Sequence, residues 1–363
     1  MGIKHVRLVN FRSFPSSNFD FDRDIVVIKG NNGSGKTTLL EALYYGCYLR
    51  SFKTRSADEL IRHGANEFFL QLSTDNDDGE THEIKIGISK TAKTAKVDEK
   101  RIKSPREILD WLRIVSMTED DLDLIRGAPE VRRTFLNQML ILEDFVNFEK
   151  IKRHKKIAMN RMLLLNEIRQ RHRGMLPPAQ REHLKAWTEQ LWAAATEIQA
   201  KRETFLEQLS LEVNKLLSQY FIGKDLRMSL HYERRRMGSH RTFEEFWKMH
   251  AGVGLIEECV TGRNTFGIQL DNFSIEFSGS NARNFASRGQ QKLLVFLMKI
   301  AGITGCTDEF CILLDDFLTD LDEKRIAQAM ELIGQHKTQT FITSPIHAGK
   351  FFEARPDVQH ITI

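Results

Sequence analysis

Cysteine is scarce in this chain of 363 residues, with four, at positions 47, 259, 306 and 311. No two form a CxxC pair and none has a histidine at zinc-ligand spacing. That argues against a metal finger or a dithiol redox centre, and for reduced, small apolar side chains in a reducing compartment. Long apolar runs are missing as well. No stretch approaches the roughly 18 residues that span a bilayer, and charges interrupt MGIKHVRLVNF where a secretory leader would be apolar. The expectation is a soluble, cytoplasmic protein with no membrane partner. Internal repeats and low-complexity tracts are absent too. Nor does one sign of charge dominate, with 53 basic against 49 acidic residues and a net charge of +4.

What is present is unevenly placed. Lys150 to Arg173 holds nine Lys or Arg and one acid, Glu167, whereas Gly305 to Glu323 holds seven acids and no Lys or Arg. One region suits anions and the other cations. The length exceeds one average domain, so two lobes are expected.

Alternation in IKHVRLVNF reads as a strand, followed by a turn at Arg12–Ser17, then NFDF, then the apolar run IVVIK. A glycine-rich loop follows, and Thr37–Leu49 reads as a helix. FFLQLST and EIKIGI look like a hairpin on the edge of the sheet. WLRIVSM is a short strand, and from Val131 to Gln170 apolar residues recur at helical spacing. Pro177 and Pro178 interrupt, and a second long helix spans Ala179 to about Phe221, so the two form a helical arm. FGIQLDNFSIEF is strand-like again. KLLVFLMKIAG reads as a buried helix, FCILL as a strand, and a helix to Ile333, the run TQTFITSP and a last short strand complete the chain. The arm is an insertion into one α/β domain.

Three motifs carry chemistry. GNNGSGKTT, Gly30 to Thr38, fits G-x-x-x-x-G-K-[ST] and lies between a strand and a helix as that motif requires. Its backbone N–H groups form an anion nest, Lys36 reaches the β- and γ-phosphates, and Thr37 offers a hydroxyl to Mg²⁺. FCILLDDFLTDLD is four apolar residues ending in adjacent carboxylates, the pattern by which a buried strand delivers charge to the carboxyl edge of a sheet. Asp315 would bind Mg²⁺ through water, and Asp316 would orient or deprotonate the attacking water. In FASRGQQ, Ser287 and Gln290 suit a helix cap. Beside the other two motifs, FASRGQQ also looks like the signature motif of ATP-binding-cassette ATPases.

The order NFRSF, GNNGSGKTT, helical arm, FASRGQQ, ILLDDFLTDLD resembles the RecF family of bacterial replication-gap repair ATPases, relatives of Rad50 and the SMC heads. The resemblance covers essentially the whole chain and includes LRSFKTRSADELIRHG, TEDDLDLIRGAPEVRRTFLN and LKAWTEQLWAAATEIQAKR. It implies an α/β fold, an ABC-type P-loop ATPase head with an inserted α-helical arm domain. Residues 1–114 and 265–363 would form the head and 115–264 the arm. ATP and Mg²⁺ are the implied cofactors. Gly30, Asn31, Asn32, Gly33, Ser34, Gly35, Lys36, Thr37 and Thr38 would bind ATP, with Arg12 at its phosphates or ribose. Lys36, Asp315 and Asp316 would serve catalysis, Thr37 and Asp315 the metal. Ser287, Gly289 and Gln290 would reach across a dimer, Asp320 and Asp322 would form the loop after the carboxylate strand, and Thr343 would take the sensor position. The family's activity is weak ATP hydrolysis in an ATP-dependent homodimer that clamps double-stranded and gapped DNA near single-strand junctions. Its partners are RecO- and RecR-type mediators of recombinase loading.

Three stretches depart from the family pattern, one of them Ser344-Pro345, which interrupts a usual threonine run. GIQLDN (Gly267–Asn272) stands where Gly-Pro-His-Arg-Asp-Asp is usual, and Arg288 replaces a usual glutamine in the signature. The basic run with Lys152, Arg153, Lys155, Lys156 and Arg161 suits a phosphate backbone and has few aromatics for base stacking, though a solvated helix face would look the same. Two other readings share the motifs: an ATP-binding subunit of a transporter, disfavoured by the long arm, and a nucleotide-dependent scaffold. A related nuclease would need a second acidic cluster, which the sequence lacks.

Overall fold

A computed structural model of the chain describes residues 2–75, 79–109, 111–221, 226–237, 242–303, 310–317, 319–335, 338–345, 352 and 355–363. Cys306 and Leu318 lie outside them. The elements begin with strands β1 (Gly2–Phe11), β2 (Phe14–Asp20) and β3 (Ile25–Gly30), helix α1 (Lys36–Tyr48), and strands β4 (Glu67–Asp75), β5 (Thr81–Ser89), β6 (Lys93–Val97) and β7 (Lys100–Arg101). Then come α2 (Arg106–Leu109), β8 (Ile114–Met117), α3 (Asp123–Arg126), α4 (Pro129–Glu143), α5 (Val146–His172) and α6 (Pro178–Tyr220). Strand β9 (Met228–Glu233), helices α7 (Phe243–His250) and α8 (Val253–Thr261), strands β10 (Asn272–Phe277) and β11 (Ser280–Asn281), and α9 (Ala282–Phe285) follow. The chain closes with α10 (Arg288–Ala301), β12 (Cys311–Leu314), α11 (Glu323–Gln335), β13 (Thr340–Pro345) and β14 (Val358–Thr362).

Contacts divide the chain into one unit of Met1–Leu122, Arg288–Lys299 and Cys306–Ile363, and a second of Asp123–Ser287 with Ile300–Gly305. Residues 265–287, expected with the head, thus group with the helical unit, because β10 is hydrogen-bonded to β9 along its length.

The first unit holds two sheets. One is fully parallel in the order β14-β3-β13-β12-β8. Strands β3 and β12 are short and almost continuously apolar because both faces are covered, as IVVIK and CILL foretell, whereas the edge strand β14 alternates buried with more exposed residues. In this order β3, β13 and β12 are neighbours, so the loops leaving their carboxyl ends share one edge. The other sheet is antiparallel, β2-β1-β4-β5-β6-β7, with β4 alternating buried and half-buried residues. The expected hairpin is therefore real, but β4–β5 lies inside this second sheet and not on the edge of the first.

In the second unit, Pro178 begins α6, where its missing N–H costs nothing, and 43 residues make α6 about 65 Å long. Contacts of Lys150 with Glu197 and of Arg161 with Thr188 show that α5 and α6 run antiparallel. The helical stretch from 131 to 170 is two helices. Asp144 is extended, and its carboxylate accepts the Val146 N–H, ending α4 and starting α5. The unit also contains a three-stranded sheet, β11-β10-β9, that the helical expectation missed. Only Asn272–Phe277 of FGIQLDNFSIEF is strand. Gly267 has φ 110 and closes a turn, with the Leu270 N–H on its carbonyl.

Candidate functional site

The loop after β3 is built to receive an anion. Gly35 has φ 113, a backbone that a side chain would strain, and its missing Cβ would come within 2.9 Å of the Phe14 ring. The residue caps α1 without a side chain, so the first-turn N–H groups of the helix keep their donors unspent, and no acid lies in that turn. Asn31, Asn32 and Gly33 are exposed, Ser34, Gly35, Thr37 and Thr38 half-buried, and Lys36 buried. Lys36 Nζ donates to the carbonyls of Gly30 at 2.9 Å and Asn31 at 3.0 Å, so its charge sits inside the loop. The Ser34 hydroxyl is buried with no partner among the described residues. A donor-rich nest with an unspent hydroxyl fits a nucleotide phosphate chain.

The carboxylates of β12 arrive beside it. Thr37 Oγ1 donates to Asp315 Oδ1 at 3.0 Å, and Thr343 Oγ1 on β13 donates to the same oxygen at 2.9 Å. The Asp316 N–H in turn donates to Thr343 Oγ1 at 2.8 Å. One hydrogen-bonded chain thus ties the first turn of α1, the end of β12 and β13 together. Burial raises the Asp315 pKa, the bonds from Thr343 and Thr37 pull it back down, and the neighbouring Asp316 charge raises it. Thr37 and Asp315 are hard oxygen donors suited to Mg²⁺, which takes one or two carboxylates beside phosphate and water. The described residues hold no group of three or more His, Cys, Asp or Glu that could cage a metal.

Asp316 has φ 49, in the left-handed region that aspartate tolerates at some cost, and its backbone is pinned on both sides. Thr343 takes its N–H, and its carbonyl accepts Lys292 Nζ at 2.8 Å. Lys292, on α10, is 1 % exposed and also bonds the carbonyl and hydroxyl of Thr319 at 2.9 and 2.7 Å. Sequence reading missed it. The signal available was a pair of lysines seven residues apart, Lys292 and Lys299, on one face of an otherwise apolar helix. Arg288, in place of the usual glutamine, bridges Glu119 and Asp320, the latter at 3.0 Å. Gly289 lets α10 approach, since a Cβ there would meet the Asp320 carbonyl at 2.8 Å. The Gly289–Gln290 end of α10 is thus held against the loop that carries Asp316 and Asp320. Ser287, exposed, is the residue before the helix and groups with the second unit.

Arg12 donates through Nε and Nη2, each at 2.8 Å, to Glu41, a carboxylate 1 % exposed that also accepts the Ser51 hydroxyl. Glu41 on α1 was not foreseen, and it anchors the Arg12 turn to the helix after the phosphate loop. Of the basic residues expected on DNA, Lys152, Arg153, Lys155 and Lys156 are exposed on α5. Arg161 is not. It is fully buried, with Glu258 at 3.0 and 2.5 Å, Thr188 at 3.0 Å, Asn264 at 2.7 Å and the Phe266 ring beneath it. It is a core ion pair and not a phosphate contact, because it shares the inward stripe of α5 with Ile157, four residues before it, and Leu165, four after. In GIQLDN, Asp271 is buried and accepts from Gln199, Tyr232 and the Arg235 N–H, while Gln269 donates to Phe266 of its own turn.

Comparisons with known proteins bear on the family and the fold. The family model described as the RecF/RecN/SMC N terminal domain matches residues 2–359. The DNA replication and repair protein RecF of Citrifermentans bemidjiense is 30% identical over 360 residues, covering 95% of this chain and 93% of that one. RecF of Moorella thermoacetica is 29% identical over 348 residues, covering 95% and 90%. Among solved structures, the recombination mediator protein RecF in its ATP form in the RecFOR pathway superposes with a TM-score of 0.81 at 24% identity, over 94% of this chain and 91% of that chain. The Smc head domain of Pyrococcus furiosus, bound to the C-terminal domain of ScpA, gives 0.55 at 16% identity, over 95% and 90%.

Proposed function

The chain belongs to the RecF family of DNA replication and repair proteins, and on that premise we propose that it is an ATP-gated DNA clamp of recombinational gap repair. Two protomers close around two ATP molecules and hold duplex DNA beside a single-strand junction. Slow hydrolysis then releases it. The observation that carries the reading is the single hydrogen-bonded chain from Thr37 through Asp315 and Thr343 to Asp316, set beside the Lys36 nest.

In this reading Lys36 and the α1 N-terminus bind the phosphates, and Thr37 with Asp315 would hold Mg²⁺, which neutralises phosphate charge when bound. Asp316, outside the metal pair and fixed by Thr343 and Lys292, aligns the attacking water and takes its proton. Ser287, Gly289 and Gln290 meet the γ-phosphate of the partner protomer. Dimer contacts that depend on the γ-phosphate make the nucleotide a switch and hydrolysis its release. Lys152, Arg153, Lys155 and Lys156 contact the DNA backbone, and RecO- and RecR-type mediators are the partners, in the cytoplasm. A solved relative is described as a recombination mediator with ATP in the RecFOR pathway, which supports this assignment.

The test is the sedimentation mass of the Asp316→Asn protein. Mass should double with Mg-ATP and not with Mg-ADP, and Lys36→Ala should abolish nucleotide binding and doubling together. One unchanged mass in both nucleotides sinks the clamp reading.

A further inference from the structure

Arginines from separate stretches of the second unit converge on one cavity of about 470 Å³, and nothing in the nucleotide site uses them. Arg169 comes from the last turn of α5, Arg235 and Arg236 from the turn after β9, and Arg263 from the loop after α8. Glu257 is the one carboxylate among the described lining residues, which together carry a formal charge of +3. Among the described lining residues Leu270 is the only large apolar side chain and none is aromatic.

The surroundings spend their polar groups on holding this arrangement. In the run Arg234–Arg236, Arg234 is paired with Glu203 and Arg236 with Glu257 at 2.6 Å. Among the described residues, Arg169, Arg235 and Arg263 have no carboxylate partner. The backbone presenting them is nevertheless fixed. The Arg235 N–H bonds buried Asp271, and Arg236 is kept at φ 59, a conformation its side chain disfavours. Below, Asn264 accepts from Arg161 and Thr265 donates its N–H to Glu258 at 2.8 Å, so the floor rests on the buried ion pair. Gly262 has φ 70, and a Cβ there would come within 3.2 Å of Arg169 Nε, so glycine makes room for that arginine.

We propose that this cavity is a second anion site, distinct from the nucleotide loop, that takes a phosphate group. Guanidinium matches phosphate geometry in bidentate pairs, and the volume falls in the range of small-ligand sites. The described lining residues are guanidinium-rich and offer no ring for a base to stack on, which favours a phosphate group as the ligand. Such a phosphate belongs either to a nucleic-acid backbone or to a free phosphate compound.

Calorimetry with inorganic pyrophosphate on the Lys36→Ala protein removes the nucleotide loop from the measurement. One site is expected, weakened by about tenfold or more in an Arg235→Gln/Arg263→Gln variant, since a charge-assisted bond contributes roughly a decade. Glu257→Gln should tighten it severalfold, whereas Glu207→Gln, the same charge change on exposed α6, should not. With Lys36 intact, unchanged ATP binding by the double variant shows that the chain is folded. The source follows from duplex DNA: a salt slope reduced by about two units in the double variant assigns the backbone, and an unchanged slope assigns a free compound. Absence of the pyrophosphate site in Lys36→Ala protein, or a site indifferent to Arg235 and Arg263, overturns the proposal. Because that site is read in a protein that cannot bind ATP, it stands or falls independently of whether Asp316→Asn dimerises.

Discussion

A lysine that is 1 % exposed and bonds two backbone carbonyls and a hydroxyl makes Lys292 the residue of α10 that holds the Asp316 carbonyl itself, beside the contacts of Arg288 and Gly289 with Asp320. Removing its charge should leave the phosphate nest intact and loosen the loop, which keeps the Thr343 and Arg288 contacts. Lys292→Met should therefore lower steady-state ATP turnover by about a hundredfold, the effect of roughly 1 Å of misplacement, while ATP affinity holds. A parallel loss of affinity and turnover would mean that Lys292 acts on folding alone. Asp315 argues in the opposite sense. Its pKa is raised, chiefly by burial, so the folded state favours its neutral form and the carboxylate is a burden to stability when no ligand is bound. Asp315→Asn should melt a few degrees higher than the native chain at neutral pH and hydrolyse no ATP. The sign with pH follows. A raised folded pKa gives stability that is present below the unfolded value of 3.8 and is lost as pH rises through the folded value, so the melting gap between variant and native chain should close on acidification.

Helix α5 shows how one element serves two environments. Its outward face carries Lys152, Arg153, Lys155 and Lys156, and its inward stripe carries His154, Ile157, Arg161, Leu165 and Ile168. Arg161 and Glu258 are both fully buried, so deleting one leaves the other's charge without its partner. Arg161→Ala should cost about 3–5 kcal/mol in denaturant unfolding, whereas Lys155→Ala should be near neutral to stability and weaken DNA binding. Burial alone would raise the Glu258 pKa, but the His250 hydrogen bond and the Arg161 guanidinium bring it down to about 2. A depressed carboxylate stabilises above its unfolded pKa of 4.5 and loses that contribution as pH falls through about 2. Acid titration of the native chain should show that loss between about pH 4.5 and 2, and Glu258→Gln should lack it. The helix was legible from spacing. The role of Arg161 was legible too, had its place four residues from both Ile157 and Leu165 been weighed above its place in a basic run.

At the scale of the whole molecule, the proposed ligand ATP would bind the folded chain and not the unfolded one. At a hundred times its dissociation constant it should add about 2.7 kcal/mol of stability, a gain that Lys36→Ala abolishes in a thermal melt. By itself the sequence determined what depends on covalent neighbours: the phosphate loop between β3 and α1, the apolar strand that ends in Asp315 and Asp316, and the helical insertion. Each is a run of adjacent residues whose pattern already states its period and its turn chemistry. Only the tertiary structure decided the rest. The parallel order β14-β3-β13-β12-β8 puts Thr343 between two loops from opposite ends of the chain. Packing placed Lys292 on the Asp316 carbonyl, Glu41 on Arg12, and β9 beside β10 inside a region whose periodicity is helical. It also separated arginines of similar local sequence into a buried ion pair, exposed helix charges and a shared cavity. The physical reason is the same throughout: a charge is defined by the groups that replace its water, and those groups come from parts of the chain whose distance in sequence says nothing about their distance in space.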